Sequence, residues 1–317
     1  VRVYSNSYGA TFDASQEGTL VYQSGGTWEQ RRRMVWVDRT GNLTKAVDDE
    51  RDYDEPSISS DGKRIVVTVR GSVYSIWIYD LEAGTRTKLQ QDQDADNGGA
   101  TWVPGRNEIV YWSNLEGPYG VFRKAVDGSS PPKFISRPLQ GDINDIEVTP
   151  DGRTVIYQGY SPEQVSELRY AAIDQSGEAT LYLDDRDHRR KPAISPDGRF
   201  IAFISAESGR PEVHVAAFPV PGQTWMISSG GGSTPRWSPD GRELYYFGDT
   251  GLFAVEVDLG DQLRLGKTEL LFESERLTDD FAIAPDGRFL MVERVEDEGP
   301  ERHQLSIVLN WPAVTRR

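Results

Sequence analysis

One hairpin turn recurs five times along this chain at nearly constant spacing. The copies are Ile58-Ser59-Ser60-Asp61-Gly62-Lys63, Val148-Thr149-Pro150-Asp151-Gly152-Arg153, Ile194-Ser195-Pro196-Asp197-Gly198-Arg199, Trp237-Ser238-Pro239-Asp240-Gly241-Arg242 and Ile283-Ala284-Pro285-Asp286-Gly287-Arg288. An Asp-Gly turn joins two antiparallel strands readily, because glycine takes a positive φ at little steric cost. Two degenerate copies complete the register, at Glu17-Gly18 and at Pro104-Gly105. Aligned on Glu17, Asp61, Gly105, Asp151, Asp197, Asp240 and Asp286, the unit repeats every 43–46 residues. Three residues before each of these positions stands an apolar residue, from Ala14 to Ile283, and an apolar second strand follows the turn, as in Ile65-Val66-Val67 or Leu244-Tyr245-Tyr246. A third strand and a short fourth one follow, as in Ile76-Trp77-Ile78-Tyr79 and Thr87-Lys88-Leu89. Four antiparallel strands repeated radially specify a β-propeller rather than a sandwich or barrel.

The spacing predicts an all-β propeller of seven four-stranded blades in a single domain over 1–311, with 312–317 as a tail. The blades are expected at about 10–47, 56–90, 99–136, 145–183, 192–228, 235–272 and 281–311. The last unit, ending in Leu305-Ser306-Ile307-Val308-Leu309, lacks a fourth strand, and Val1-Arg2-Val3-Tyr4 has no unit of its own. Placing that N-terminal strand in the last blade closes the ring and leaves no open edge. If Glu17 does not mark a true repeat, the count is six.

The net charge of −15 disfavours nucleic acid and anionic lipid, whose binding depends on Lys and Arg displacing counterions. It favours cationic partners. The chain has no cysteine, and so no disulfide, thiol nucleophile or thiolate metal site. No stretch reaches the roughly 18 apolar residues of a membrane span. The three histidines, His188, His214 and His303, fall in different repeats without metal-ligand spacing, and no Gly-x-Ser-x-Gly elbow is present. Gly230-Gly231-Gly232-Ser233-Thr234 lacks the lysine of a phosphate loop and reads as a flexible connection. Arg31-Arg32-Arg33 reads as a solvated turn, and the Asp residues of the repeated turn read as structural.

Function is therefore sought where the repeats stop resembling one another, in the connections leading to each first strand, which ring one mouth of the channel. Six or seven residues before the turn stand Asp54, Glu55, Asn144, Asp145, Arg190, Lys191, Asp279 and Asp280, with Asp96 and His188 nearby. This predicts an acidic mouth with one basic sector. It suits a protein or peptide partner of basic character, or a Ca²⁺ ion, which takes several oxygen ligands. Otherwise no cofactor is expected. A metal-assisted lyase or hydrolase at the mouth is the alternative, and a sugar or small ligand on Tyr53, Tyr119 and Tyr160 is a third reading.

The Ser-Pro-Asp-Gly-Arg hairpins resemble the TolB-like propeller repeats of bacteria over about residues 1–311. Two further stretches, Met34-Val35-Trp36-Val37-Asp38-Arg39-Thr40-Gly41 and Ile307-Val308-Leu309-Asn310-Trp311, resemble the propellers appended to bacterial serine/threonine protein kinases. The resemblance implies a monomeric, extracytoplasmic sensor or scaffold domain that binds a partner without catalysis. No kinase motif occurs in the chain itself.

Overall fold

The structure is a computed structural model that describes residues 12–14, 19–24, 31–90, 94–138, 140–161, 163, 165–182, 189–260, 262–295 and 304–309. It has two compact units. The larger, Arg32–Arg294, holds six four-stranded antiparallel sheets. Their innermost strands are Tyr53–Ile58, Asn97–Trp102, Gln140–Val148, Arg190–Ile194, Ser233–Trp237 and Leu277–Ile283, and blades one to six are named here in that order. The smaller unit holds a three-stranded antiparallel sheet of Phe12–Ala14, Thr19–Ser24 and Gln304–Leu309.

The ring thus has the smaller of the two blade numbers the repeat allows. The Glu17 copy does pair its first two strands, with Phe12 opposite Tyr22 and Ala14 opposite Leu20. Its second strand then pairs with Gln304–Leu309 instead of with Arg32–Val37. Arg32–Val37 and Leu43–Lys45 become the outer strands of blade six, next to Phe289–Arg294. Closure by N-terminal strands is as expected, but these strands perform it. Val1–Tyr4 lies outside the described residues. Six paired positions run from Phe289 opposite Val37 to Arg294 opposite Arg32. The exchange is favoured by burial: Met34, Val35, Trp36 and Val37 all enter the core. The stretch that resembles the kinase-linked propellers is therefore the closing segment, and its Asp38–Gly41 turn clasps blade five. Arg39 pairs there with Glu243 at 2.5 Å.

Core clusters lie between every neighbouring pair of blades, including six and one. Second strands are apolar on both faces because both faces are covered. In blade two, Ile109 and Tyr111 pack toward blade one while Val110 and Trp112 pack toward blade three. The repeated turn is built as its chemistry predicts. Ser59 Oγ donates to Asp61 Oδ1 at 2.6 Å, the Lys63 amide donates to the same oxygen at 3.0 Å, and Gly62 takes φ 71°. Asp151, Asp197 and Asp240 repeat both contacts.

Arg31-Arg32-Arg33 departs from the expected solvated turn. Arg32 is buried, with its Nε 3.3 Å from Asp52, and Arg33 pairs with Glu293 at 2.5 Å, because both side chains sit where blade six is joined. Gly230–Gly232 departs from a flexible connection. The amides of Gly230 and Gly231 donate to Glu212 Oε1 at 2.9 and 3.0 Å, and Ser228 and Arg210 donate to the same carboxylate. The loop does cradle an anion, but one supplied by its own blade. Glu212 lies well below the usual carboxylate range, at about 2; burial opposes this, and the Ser228, Arg210 and amide hydrogen bonds outweigh it. Glu212→Ala leaves several buried donors unpaired and is expected to cost about 2–3 kcal/mol in urea unfolding at neutral pH. Because the native pKa is lowered, that cost should be full above about pH 4.5 and shrink as the pH falls toward 2.

Candidate functional site

The channel-lining strands share one irregularity. Each first strand breaks register with its second, for example between Asp54 and Ser57 in blade one and between Arg190 and Ala193 in blade four. A bulge of this kind re-aims a side chain. Here it falls on the position six residues before the turn, occupied by Glu55, Gly99, Asp145, Lys191, Thr234 and Asp280. Glu55, Asp145, Lys191 and Thr234 have φ of 49°, 44°, 54° and 45°, and among the described residues no other non-glycine residue has positive φ. Left-handed backbone at such residues costs on the order of 1 kcal/mol each and gathers at functional sites. Gly99 meets the same need, and a Cβ there would fall 2.5 Å from the Trp112 indole.

These residues form a waist across the channel. Lys191 Nζ lies 2.7 Å from Asp280 and 3.0 Å from Asp145. Glu55 Oε2 accepts from the Gly99 amide at 2.9 Å and from Thr68 at 3.3 Å. Above it, Asp54 is held by Arg70, whose Nε donates at 2.8 Å. Burial alone would lower the Lys191 ammonium, but Asp145, Asp280 and Glu55 hold it well above its ordinary value. Burial would raise Asp280, and the charge and hydrogen bond of Lys191 keep it low. Glu55 is pushed up to about 8 by burial and by the Asp54, Asp145 and Asp280 carboxylates, with Lys191 only partly opposing. Asp54 is raised to about 6 by burial and by Asp280, against Arg70.

The waist divides two spaces. Toward the mouth lies a chamber of about 420 Å³ lined by Glu55, Asp145, Lys191 and Asp280 of the waist with Asp54, Arg70, Trp112, Gln158, Tyr160 and Arg190. Toward the hairpin turns lies a second chamber of about 290 Å³, which all six blades line.

A family model described as the TolB beta propeller domain matches residues 26–216. The chain belongs to the TolB β-propeller family. The Tol-Pal system protein TolB of Francisella tularensis subsp. tularensis (strain WY96-3418) is 21% identical over 170 residues, which are 53% of this chain and 39% of that protein. The matched region thus spans well under half of its curated relatives. Among solved structures, a TolB-like protein from Agrobacterium tumefaciens superposes with TM-score 0.62 at 18% identity, over 84% of this chain and 99% of the other. TolB from Acinetobacter baumannii gives 0.58 at 14% identity, over 91% and 79%. At these identities the structural likeness shows the fold.

In this TolB propeller most of the sequence-selected positions meet at one mouth. Asp54, Glu55, Asn144, Asp145, Arg190, Lys191, Asp279 and Asp280 all line the mouth chamber. Asp96 does not. It accepts from the Tyr74 amide at 2.8 Å and from Tyr119 Oη at 3.1 Å, ordering the blade-two loop. His188 lies outside the described residues. His214 is packed on Phe203, their ring centroids 6.1 Å apart. Of the three tyrosines expected to be exposed, Tyr53 is buried and bonded to Tyr79 at 2.8 Å, and Tyr119 is half-buried against Trp112; Tyr160 alone lines the chamber. The basic sector is not a separate patch, because Lys191 is paired within the waist. Among the described residues no group of three His, Cys, Asp or Glu is placed to hold a metal ion, and the waist carboxylates expected for Ca²⁺ are engaged by Lys191 and Arg70. No described helix is long and apolar enough to cross a membrane.

Sequence reasoning missed the next ring inward. Four residues before the turn stand Ser57, Thr101, Glu147, Ala193, Arg236 and Ala282. The signal was present, as a charged residue between apolar neighbours in Ile146-Glu147-Val148 and in Pro235-Arg236-Trp237.

Proposed function

We propose that this propeller is a binding module that takes an extended protein segment at its mouth, with a Lys or Arg side chain of the partner reaching the waist. One observation carries the reading. Five carboxyl groups, Asp54, Glu55, Asp145, Asp279 and Asp280, line the mouth chamber against three cations, Arg70, Arg190 and Lys191. The excess of acidic groups favours a cationic side chain, and Tyr160 beside them can add a cation–π contact.

A fluorescently labelled Lys/Arg-containing peptide should bind more tightly than a Glu-containing one of the same length, and less tightly as salt rises. Gln158→Ala and Asp279→Lys, both away from the Lys191 ion pairs, should each weaken it by about 5–20-fold. Equal binding of both peptides by the parent and both variants would sink the reading. Within it, the chain acts as a monomer outside the cytoplasm, as part of a sensor protein of the serine/threonine kinase type, on the strength of the Met34–Gly41 stretch. A full-length gene product with neither kinase nor membrane span would remove that setting while leaving the mouth intact.

A further inference from the structure

The second chamber lies on the other side of the waist from the mouth and has its own chemistry. The waist residues Glu55, Asp145, Lys191 and Asp280 close it on one side, and its own polar groups stand in the ring four residues before the turn. Glu147 comes from blade three and Arg236 from blade five, with Ala193 of blade four between them, so no long side chain fills the gap. Among the described residues Glu147 has no hydrogen-bond or ion-pair partner. Burial pushes its carboxyl up to about 7, and only the Arg236 charge opposes. Arg236 is fixed from behind, its Nε donating to the Phe281 carbonyl at 3.3 Å and its Nη1 to the Pro235 carbonyl at 3.0 Å. Its Nη2 has no protein acceptor among the described residues. A guanidinium fastened by two carbonyls and left with three N–H groups, two of them on Nη2, is preorganised for an anion. On the far side, Ser57 Oγ and Thr101 Oγ1 lie 3.4 Å apart, and beneath them Trp102, Ile194, Trp237 and Ile283 form an apolar floor.

We infer that this chamber binds a small zwitterion, with its ammonium on Glu147, its carboxylate on Arg236 and an apolar side group over Trp102 and Trp237. The volume of about 290 Å³ sits at the lower limit of small-molecule pockets. It suits a free amino acid or a very short peptide rather than a folded partner. Ser60, Pro104, Pro196 and Pro239 of the hairpin turns also line the chamber, so the ligand would reach it from the turn end and not through the mouth.

The test is calorimetric titration of the full chain with L-leucine and with Leu-Leu, the two arms that separate a free amino acid from a peptide. N-acetyl-leucine, which lacks the ammonium, and leucinamide, which lacks the carboxylate, serve as capped controls. The zwitterion should bind at least about 10-fold more tightly than either capped form. Glu147→Gln should abolish the discrimination against N-acetyl-leucine and leave that against leucinamide; Arg236→Gln should do the reverse. The unfolding midpoint of each variant, and its affinity for the labelled mouth peptide, show that the ring is intact. No binding of either zwitterion at about 10 mM, or variants that discriminate as the parent does, would overturn the inference without touching the mouth.

Discussion

Lys191→Met should be among the most destabilising single changes in the ring. The ammonium lies within 3.0 Å of two waist carboxylates, and its removal leaves Asp145 and Asp280 without the counter-charge between them. Breaking a buried pair by deleting one partner costs about 3–5 kcal/mol. The loss should also depend on pH. Asp280 is held below its ordinary range in the folded protein, so its favourable contribution is present above about pH 4 and disappears as the pH falls through the lowered value. Lys191 is held above its ordinary value, so its contribution is complete up to about pH 10 and is lost only above that. Urea midpoints of parent and variant should therefore differ most between about pH 5 and 10 and draw together as the pH falls below about 4. A difference that does not shrink on acidification would show that the ammonium acts through packing alone.

Glu55→Gln should have the opposite sign. With its carboxyl raised to about 8, Glu55 keeps its proton in the folded state over a range in which the unfolded chain has released it. The folded state then binds more protons, and stability falls as pH rises from about 4.5 to 8. Glutamine imitates the protonated acid and can keep the contacts from the Gly99 amide and Thr68. The variant should match the parent near pH 4 and exceed it by about 2–4 kcal/mol at pH 9. Parallel stability curves for the two proteins across that range would contradict a protonated Glu55. Because a cation at the waist would draw that proton off, the same variant should lose the proton release that accompanies binding of the basic peptide.

The fold was legible because its signal is redundant. Ser or Thr, then Asp and Gly, appear in one turn after another, and a single residue's ambiguity is outvoted. The blade number was harder to read because strand pairing is not a local property. Met34-Val35-Trp36-Val37 follows the Glu17 hairpin in the chain but pairs with Phe289–Arg294, and its apolar pattern suits either sheet. At the mouth, counting back from the turn located Glu55, Asp145, Lys191 and Asp280. Their left-handed backbone was not legible, since a charged residue at φ near 50° leaves no trace in its own letter. Gly99, at the equivalent place in blade two, was the one hint. The partner relations were also out of reach. That Lys191 of blade four answers Asp145 of blade three and Asp280 of blade six depends on how the blades close, and the three lie far apart in the chain.

The closing rung has a mechanical consequence. Arg32 begins the third strand of blade six and Arg294 ends the second, and the two are paired. Both chain segments that leave the ring therefore start from the same end of one ladder. Tension applied through them would load that ladder as a zipper, one rung at a time, rather than in shear across six rungs together. The other five blades, each continuous in the chain, would carry no load until Arg32–Val37 had peeled from Phe289–Arg294. Once the pairing of Thr19–Ser24 with Gln304–Leu309 has given way, a pull from outside meets the ring at this one ladder.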